Sequence, residues 1–161
     1  MPEYTAGLNT GFSWKNFDFS MQWTGAWNVD RLLDEFRRPL GDTNEKGLLL
    51  YQYDTTWRSS ADTFTAKFPR TSSLHASNNY AGSDLYLINA SYLRLKSVEI
   101  GYNFNFPFMK KLKMDNCRLY VNGYNLITIT GFKWGDPESR QSSRPNYPLT
   151  RVFNIGLKLG F

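Results

Sequence analysis

From residue 4 onward the chain alternates. Tyr4, Ala6, Leu8, Thr10, Phe12 and Trp14 occupy every second position, with Thr5, Gly7, Asn9, Gly11 and Ser13 between them. A second run follows Lys15 and Asn16. Phe17, Phe19, Met21, Trp23, Gly25 and Trp27 fall on one side, and Asp18, Ser20, Gln22, Thr24 and Ala26 on the other. A period of two puts each set on one face of a β-strand. Residues flanking a two-residue loop pair across a hairpin and point the same way. Trp14 and Phe17 flank Lys15-Asn16, so the two apolar faces coincide.

The alternation then stops until about residue 90. Val29, Leu32, Leu33 and Phe36 have the spacing of a short amphipathic helix. Asn28 is a candidate cap, Asp30 lies in the first turn, and Arg37-Arg38-Pro39 would close it. The remainder is rich in Ser, Thr, Asn, Asp and Gly.

Strand character returns in SYLRLKSVEIGYNFNF, where Leu93 and Leu95 share one phase and Val98, Ile100, Tyr102, Phe104 and Phe106 the other. A β-bulge near Ser97 accommodates that slip. A basic turn, PFMKKLKMDN, leads into CRLYVNGYNLITIT, where Cys117, Leu119 and Val121 keep phase. The final strand carries Phe153, Ile155, Leu157, Leu159 and Phe161 on one face. The expected strands are therefore 3–14, 17–27, 91–106, 116–130 and 150–161. They alternate with short turns and long loops, 28–90 and 131–149.

Strands of about eleven residues exceed the usual five or six and match the roughly 9–11 that cross a bilayer. No charged residue falls on the first two apolar faces, and aromatics (Tyr4, Trp14, Phe17, Trp27) gather toward the strand ends, as in an interfacial girdle. A 17% aromatic share with negative mean hydropathy suits alternating strands better than one dry core. The longest apolar run, residues 48–51, is too short for a membrane helix. No secretory signal is legible at the start, and this does not place the protein in the cytoplasm. Five strands leave two unpaired edges, which hydrocarbon does not tolerate. The fold class expected is all-β: antiparallel transmembrane strands forming the C-terminal part of a large barrel, with one short helix in a long outer loop.

Candidate chemistry is sparse. The net charge of +5 and the basic runs at 37–38 and 110–113 lack interleaved aromatics, so no nucleic-acid surface is expected. His75 stands in a polar loop without a nucleophile. Asp30, Asp34 and Glu35 read as a solvated face, and residues 42–45 (DTNE) lack calcium-loop spacing. Cys117 shares a face with Leu119 and Val121. No catalytic set, metal site or cofactor is expected. Trp57, Arg58, Trp134 and Arg140 in the long loops are candidates for contact with a ligand or partner, or for loop packing alone. Asn9, Ser20, Gln22, Glu99 and Lys158 fall in the polar phase and would line a barrel interior. A small soluble β-sandwich, binding carbohydrate through exposed Trp and Tyr, is the alternative.

Two resemblances bear on this choice. NIGLKLGF is similar to the terminal assembly signal of outer-membrane proteins, which assigns Asn154, Gly156, Leu159 and Phe161 to positions read by the barrel-assembly machinery. More of the chain resembles the C-terminal end of SusC/RagA-type TonB-linked transporters of the Bacteroidetes. The stretches are KNFDFS (15–20), WRSSADTFTAKFPR (57–70), SYLRLKSVEIGYNF (91–104), LYVNGYNLITIT (119–130), GDPES (135–139) and YPLTRVFNIGLKLGF (147–161). The resemblance implies a plugged barrel of many strands in the outer membrane, among its lipids. It also implies a SusD-like lipoprotein lid, energy delivered through the TonB complex, and nutrient uptake of glycan or peptide. Plug, TonB box and early barrel strands have no counterpart in these residues, so contact with TonB would run through an N-terminal part not present here.

Overall fold

The structure, a computed structural model, describes residues 2–32, 50–71, 79, 81–107, 113–139 and 149–161. Its main body is one antiparallel sheet of five strands: β1 (Tyr4–Trp14), β2 (Phe17–Trp27), β5 (Tyr92–Phe104), β6 (Asn116–Thr130) and β7 (Val152–Gly160). They pair in sequence order, β1-β2-β5-β6-β7, the simple meander expected where consecutive strands are spatial neighbours. Two short strands, β3 (Asp30–Leu32) and β4 (Leu87–Asn89), pair with each other.

The β1–β2 hairpin is in register from Tyr4↔Trp27 to Trp14↔Phe17. Its turn is held to the next strand: Asn16 donates through Nδ2 to the Asn103 carbonyl and accepts from the Asn103 N–H, each at 2.7 Å. Lys15 supplies the left-handed residue of the turn, φ 56°.

Register carries the apolar face across every strand. Phe12 faces Phe19, Phe19 faces Ile100, Ile100 faces Val121, and Val121 faces Ile155. Cys117 joins this face between Phe104 and Leu159. The face is uncovered: Ile155 is 78% exposed, Phe153 71% and Leu8 60%. A sandwich would bury these side chains under a second sheet. The exposed apolar face therefore argues against the soluble alternative.

The phase slip in β5 lies at Lys96, which both neighbouring ladders skip: Leu95 pairs with Trp23 and Ile127, Ser97 with Gln22 and Tyr124. On β6 the skipped residues are Asn125, at φ 54°, and Leu126. The bulge keeps Lys96 and Ser97 on the polar side while Leu95 and Val98 stay on the apolar side. Opposite it, Gly123 leaves room that Leu126 fills, since a Cβ there would lie 2.7 Å from Leu126 Cδ1.

The described residues between Asp30 and Ile88 belong to a second compact unit. It contains the short helix α1 (Leu50–Thr55) and two 3-10 turns, Ser60–Asp62 and Asp84–Tyr86. Its buried residues include Thr56, Phe68 and Tyr86, with the Phe68 and Tyr86 rings stacked at 5.8 Å.

The helix expected from Val29 to Phe36 is corrected at its start. Asp30–Leu32 is a strand paired with β4, and residues 33–36 lie outside those described. Asn28 does not cap: it has φ 55°, where a cap residue is extended, and its side chain donates to Glu3 Oε2 at 2.6 Å. A short helix does occur further along the expected long loop 28–90, at Leu50–Thr55.

Candidate functional site: the polar face of the sheet

The face opposite the apolar one carries the ionic chemistry. A row of side chains crosses it from β7 to β2. Asn154 donates to Asn122 Oδ1 (2.9 Å), and Asn122 donates to Glu99 Oε2 (3.2 Å). Arg118 donates to Glu99 Oε1 (2.7 Å) and through Nε to Asp18 Oδ1 (3.0 Å), and its Nη2 also bonds Asp18 Oδ2. Register explains the row, because Ser20, Glu99, Asn122 and Asn154 are successive cross-strand partners. These charged side chains are 19–33% exposed, between the surface pairs that contribute little and the buried pairs that are costly to break. Their effect is to give this face a fixed, ion-paired surface.

Two glycines make that surface possible. Gly101 and Gly156 both lie opposite Tyr120. The Arg118 guanidinium lies over Gly101, where a Cβ would fall 2.6 Å from Nε. The Tyr120 ring lies over Gly156, and Arg118 sits 5.2 Å from the Tyr120 ring centroid. Strand glycines commonly mark such close approach.

A second cluster lies nearer the other ends of β5 and β6. Arg94, whose side chain is only 3% exposed, donates to Asp136 Oδ1 and Glu138 Oε2, both at 2.8 Å, and to Thr128 Oγ1 at 3.0 Å. Lys96 Nζ reaches Glu138 Oε1 at 2.7 Å. Asp136 is also the knot of its own loop, accepting from the N–H groups of Glu138 (2.9 Å) and Leu149 (3.3 Å). Burial alone would raise its pKa. The hydrogen bonds from Arg94 and from those backbone N–H groups outweigh burial and leave the carboxyl below the usual carboxylate range.

The candidate assembly-signal and loop-contact residues have definite places, save Arg140, while His75, Asp34, Glu35 and residues 42–45 lie outside the described residues. Asn154 belongs to the hydrogen-bonded row. Gly156 lies under Tyr120, Leu159 is on the apolar face beside Cys117, and Phe161 is exposed just beyond β7. Trp57 donates its backbone N–H to the Phe68 carbonyl at 2.9 Å. Arg58 stands 4.7 Å from the Tyr53 ring centroid and 3.7 Å from Asp62. Trp134 packs edge-on against Phe132 at 5.7 Å. Arg140 lies outside the described residues. Trp57 and Arg58 belong to the second unit and Trp134 to the first. Sequence reasoning passed over Arg94, Asp136 and Glu138. The legible signal was a pair of cations in the polar phase of one strand and the acidic pair of GDPES.

Among the described residues no cluster of three or more metal-ligating side chains occurs, and no helix is long and apolar enough to cross a membrane. The latter says nothing about strands.

No family model matches the chain. Curated relatives do. It is 29% identical to the TonB-dependent receptor P3 of Formosa agariphila over 99% of its own length, and 28% identical to the TonB-dependent receptor SusC of Bacteroides thetaiotaomicron over 96%. It spans only 16% and 15% of those receptors. Among solved structures, the RagAB peptide importer in its open-open state superposes over 100% of the chain and 17% of its own, with TM-score 0.75 and 21% identity. The closed-closed state gives a TM-score of 0.73 at 22% identity. The apolar face, the charged opposite face and these whole-chain matches agree: the chain resembles a stretch of the barrel wall of SusC-type TonB-dependent receptors and shares its fold with the corresponding part of RagAB.

Proposed function

We propose that this chain forms the C-terminal strands of an outer-membrane transporter that takes up nutrients, glycan or peptide, with energy supplied through TonB. The observation that carries this reading is the five-strand sheet with one unbroken apolar face and one charged face. Lipid would meet the first, and the second would line the lumen against a plug. The chain itself does no bond chemistry in this scheme. One of its solved relatives is a peptide importer, and peptide is accordingly among the cargo classes proposed.

In the same reading a SusD-like lipoprotein covers the mouth, and Trp57, Arg58, Trp134 and Arg140 on the long segments contact that lid or the cargo. The barrel-assembly machinery reads Asn154, Gly156, Leu159 and Phe161. The test uses the full-length receptor in its outer membrane, with Cys117→Ser as background. Cysteines placed at Ser20 and Ile155 are exposed to a water-borne thiol reagent. Labelling of Ser20→Cys but not Ile155→Cys is expected. A folded receptor recovered in the aqueous fraction, or the reverse labelling pattern, would overturn the reading.

A further inference from the structure

The β5–β6 ladder ends at Tyr92↔Thr130. A chain leaving β6 there can run away from the sheet or turn back across one face of it. This one turns back. Arg94 and Lys96 lie two and four residues inside that end, about 7 and 13 Å down the strand at the usual rise per residue. Glu138 bonds both, and Asp136 bonds Arg94. Phe132 and Pro137 are buried on the way. Because Asp136 also accepts from the Leu149 N–H, the chain leaving at 139 and the chain returning at 149 are tied to one carboxylate.

The contact is built to stay. A nearly buried guanidinium that loses a carboxylate partner is left with an uncompensated charge, which is strongly destabilising. Two carboxylates in fixed directions also match the planar fork of arginine and would not match a lysine equally. The bulge at Lys96 adds a second cation to the same face.

We propose that residues 132–139 form a fixed constriction inside the lumen, folded inward over β5 and β6, with Arg94 as the residue that positions it. This rests on the polar face being the lumen wall. Cargo would then pass a narrowing some way below the rim, bordered by the half-buried Trp134 and the exposed Lys133, before it reached the ion-paired row around Arg118.

The experiment again uses the full-length receptor, Cys117→Ser, in outer membranes. Lys96→Cys and Glu138→Cys are combined and treated with a short bifunctional methanethiosulfonate. Cross-linking is expected, because the native side chains meet at 2.6 Å and Asp136 still holds Arg94 when Glu138 is replaced. Adding Arg94→Gln should lower the yield about tenfold or more, and Arg94→Lys should restore part of it. Heat-modifiability confirms barrel assembly throughout; if Arg94→Gln fails to assemble, Asp136→Asn takes its place, with the same loss expected. Absence of the cross-link while Ser20→Cys remains accessible from water would overturn the constriction. Persistence of the cross-link in Arg94→Gln, or in Asp136→Asn where that variant takes its place, would overturn the positioning role. An inaccessible Ser20→Cys would instead sink the lumen reading, so the two failures are distinguishable.

Discussion

Gly156 has two competing explanations, and one substitution separates them. Resemblance to the terminal signal of outer-membrane proteins would assign it to the positions read during barrel assembly. In the structure it lies beneath the Tyr120 ring, and a Cβ added there would fall 2.6 Å from Tyr120 Cε1 and closer still to Cζ and Oη. Real Cβ atoms do not approach that closely, so Gly156→Ala must displace the ring. Tyr120 then loses its position beside Arg118, a cation–π contact worth about 0.5–1 kcal/mol at a half-exposed site. Forcing a side chain off its packed position adds about 1–3 kcal/mol. Gly156→Ala should therefore destabilise the full-length receptor by roughly 2–3 kcal/mol, read as a lowered urea midpoint in lipid vesicles. The double variant Gly156→Ala/Tyr120→Ser removes the clash and should regain most of the over-packing part. Assembled yield in cells, read by heat-modifiability, is the second assay. If the packing explanation is sufficient, yield recovers with stability. Gly156→Ala with an unchanged midpoint would refute the ring's placement. A double variant that is stable in vesicles yet fails to assemble in cells would refute packing as the sufficient cause and leave the signal role standing.

Three further outcomes follow from the same faces. Ile155→Lys puts a charge in mid-strand on the apolar face and should cost about 2–4 kcal/mol, whereas Asn9→Lys on the opposite phase should be near neutral; equal effects on assembled yield would contradict the assignment of faces. Lys15 has φ 56°, so Lys15→Gly relieves about 1 kcal/mol and loses a Trp14 contact of about 0.5 kcal/mol, and a urea midpoint that falls rather than rises would count against the turn geometry. The Asp136 carboxyl has a folded pKa below its unfolded one, near 3.9. Its contribution is therefore present above the unfolded value and lost as pH falls through the folded value. Proteolytic protection of residues 132–139 should stay flat from about pH 5 to 8 and drop only below about 4. Loss beginning near neutrality would show that Asp136 is not held by Arg94.

What could be read from the sequence followed the range of the forces involved. The hairpin was legible because Trp14 and Phe17 fix the phase on each side of a two-residue turn, and period two needs only neighbours along the chain. The slip at Lys96 was legible for the same reason, although one residue from where it was placed: one extra residue inverts every later position. Asp30–Leu32 was not, since three residues carry no period, and their partner strand comes more than fifty residues later. The spacing of Val29, Leu32 and Phe36 fitted a helix until Leu87–Asn89 supplied the hydrogen bonds. Ionic partners are hidden in a further way. Arg94 and Asp136 are 42 positions apart, and the sequence gives each a charge but no direction. Register supplies the direction. Once β5 and β6 are aligned, Arg94 points with Thr128 toward the face on which β6 hands its chain to Asp136 and Glu138. The loop aromatics drew attention in the sequence because they are chemically conspicuous. The side chains that tie loop to wall are ordinary charges, made specific only by the pleat that aims them.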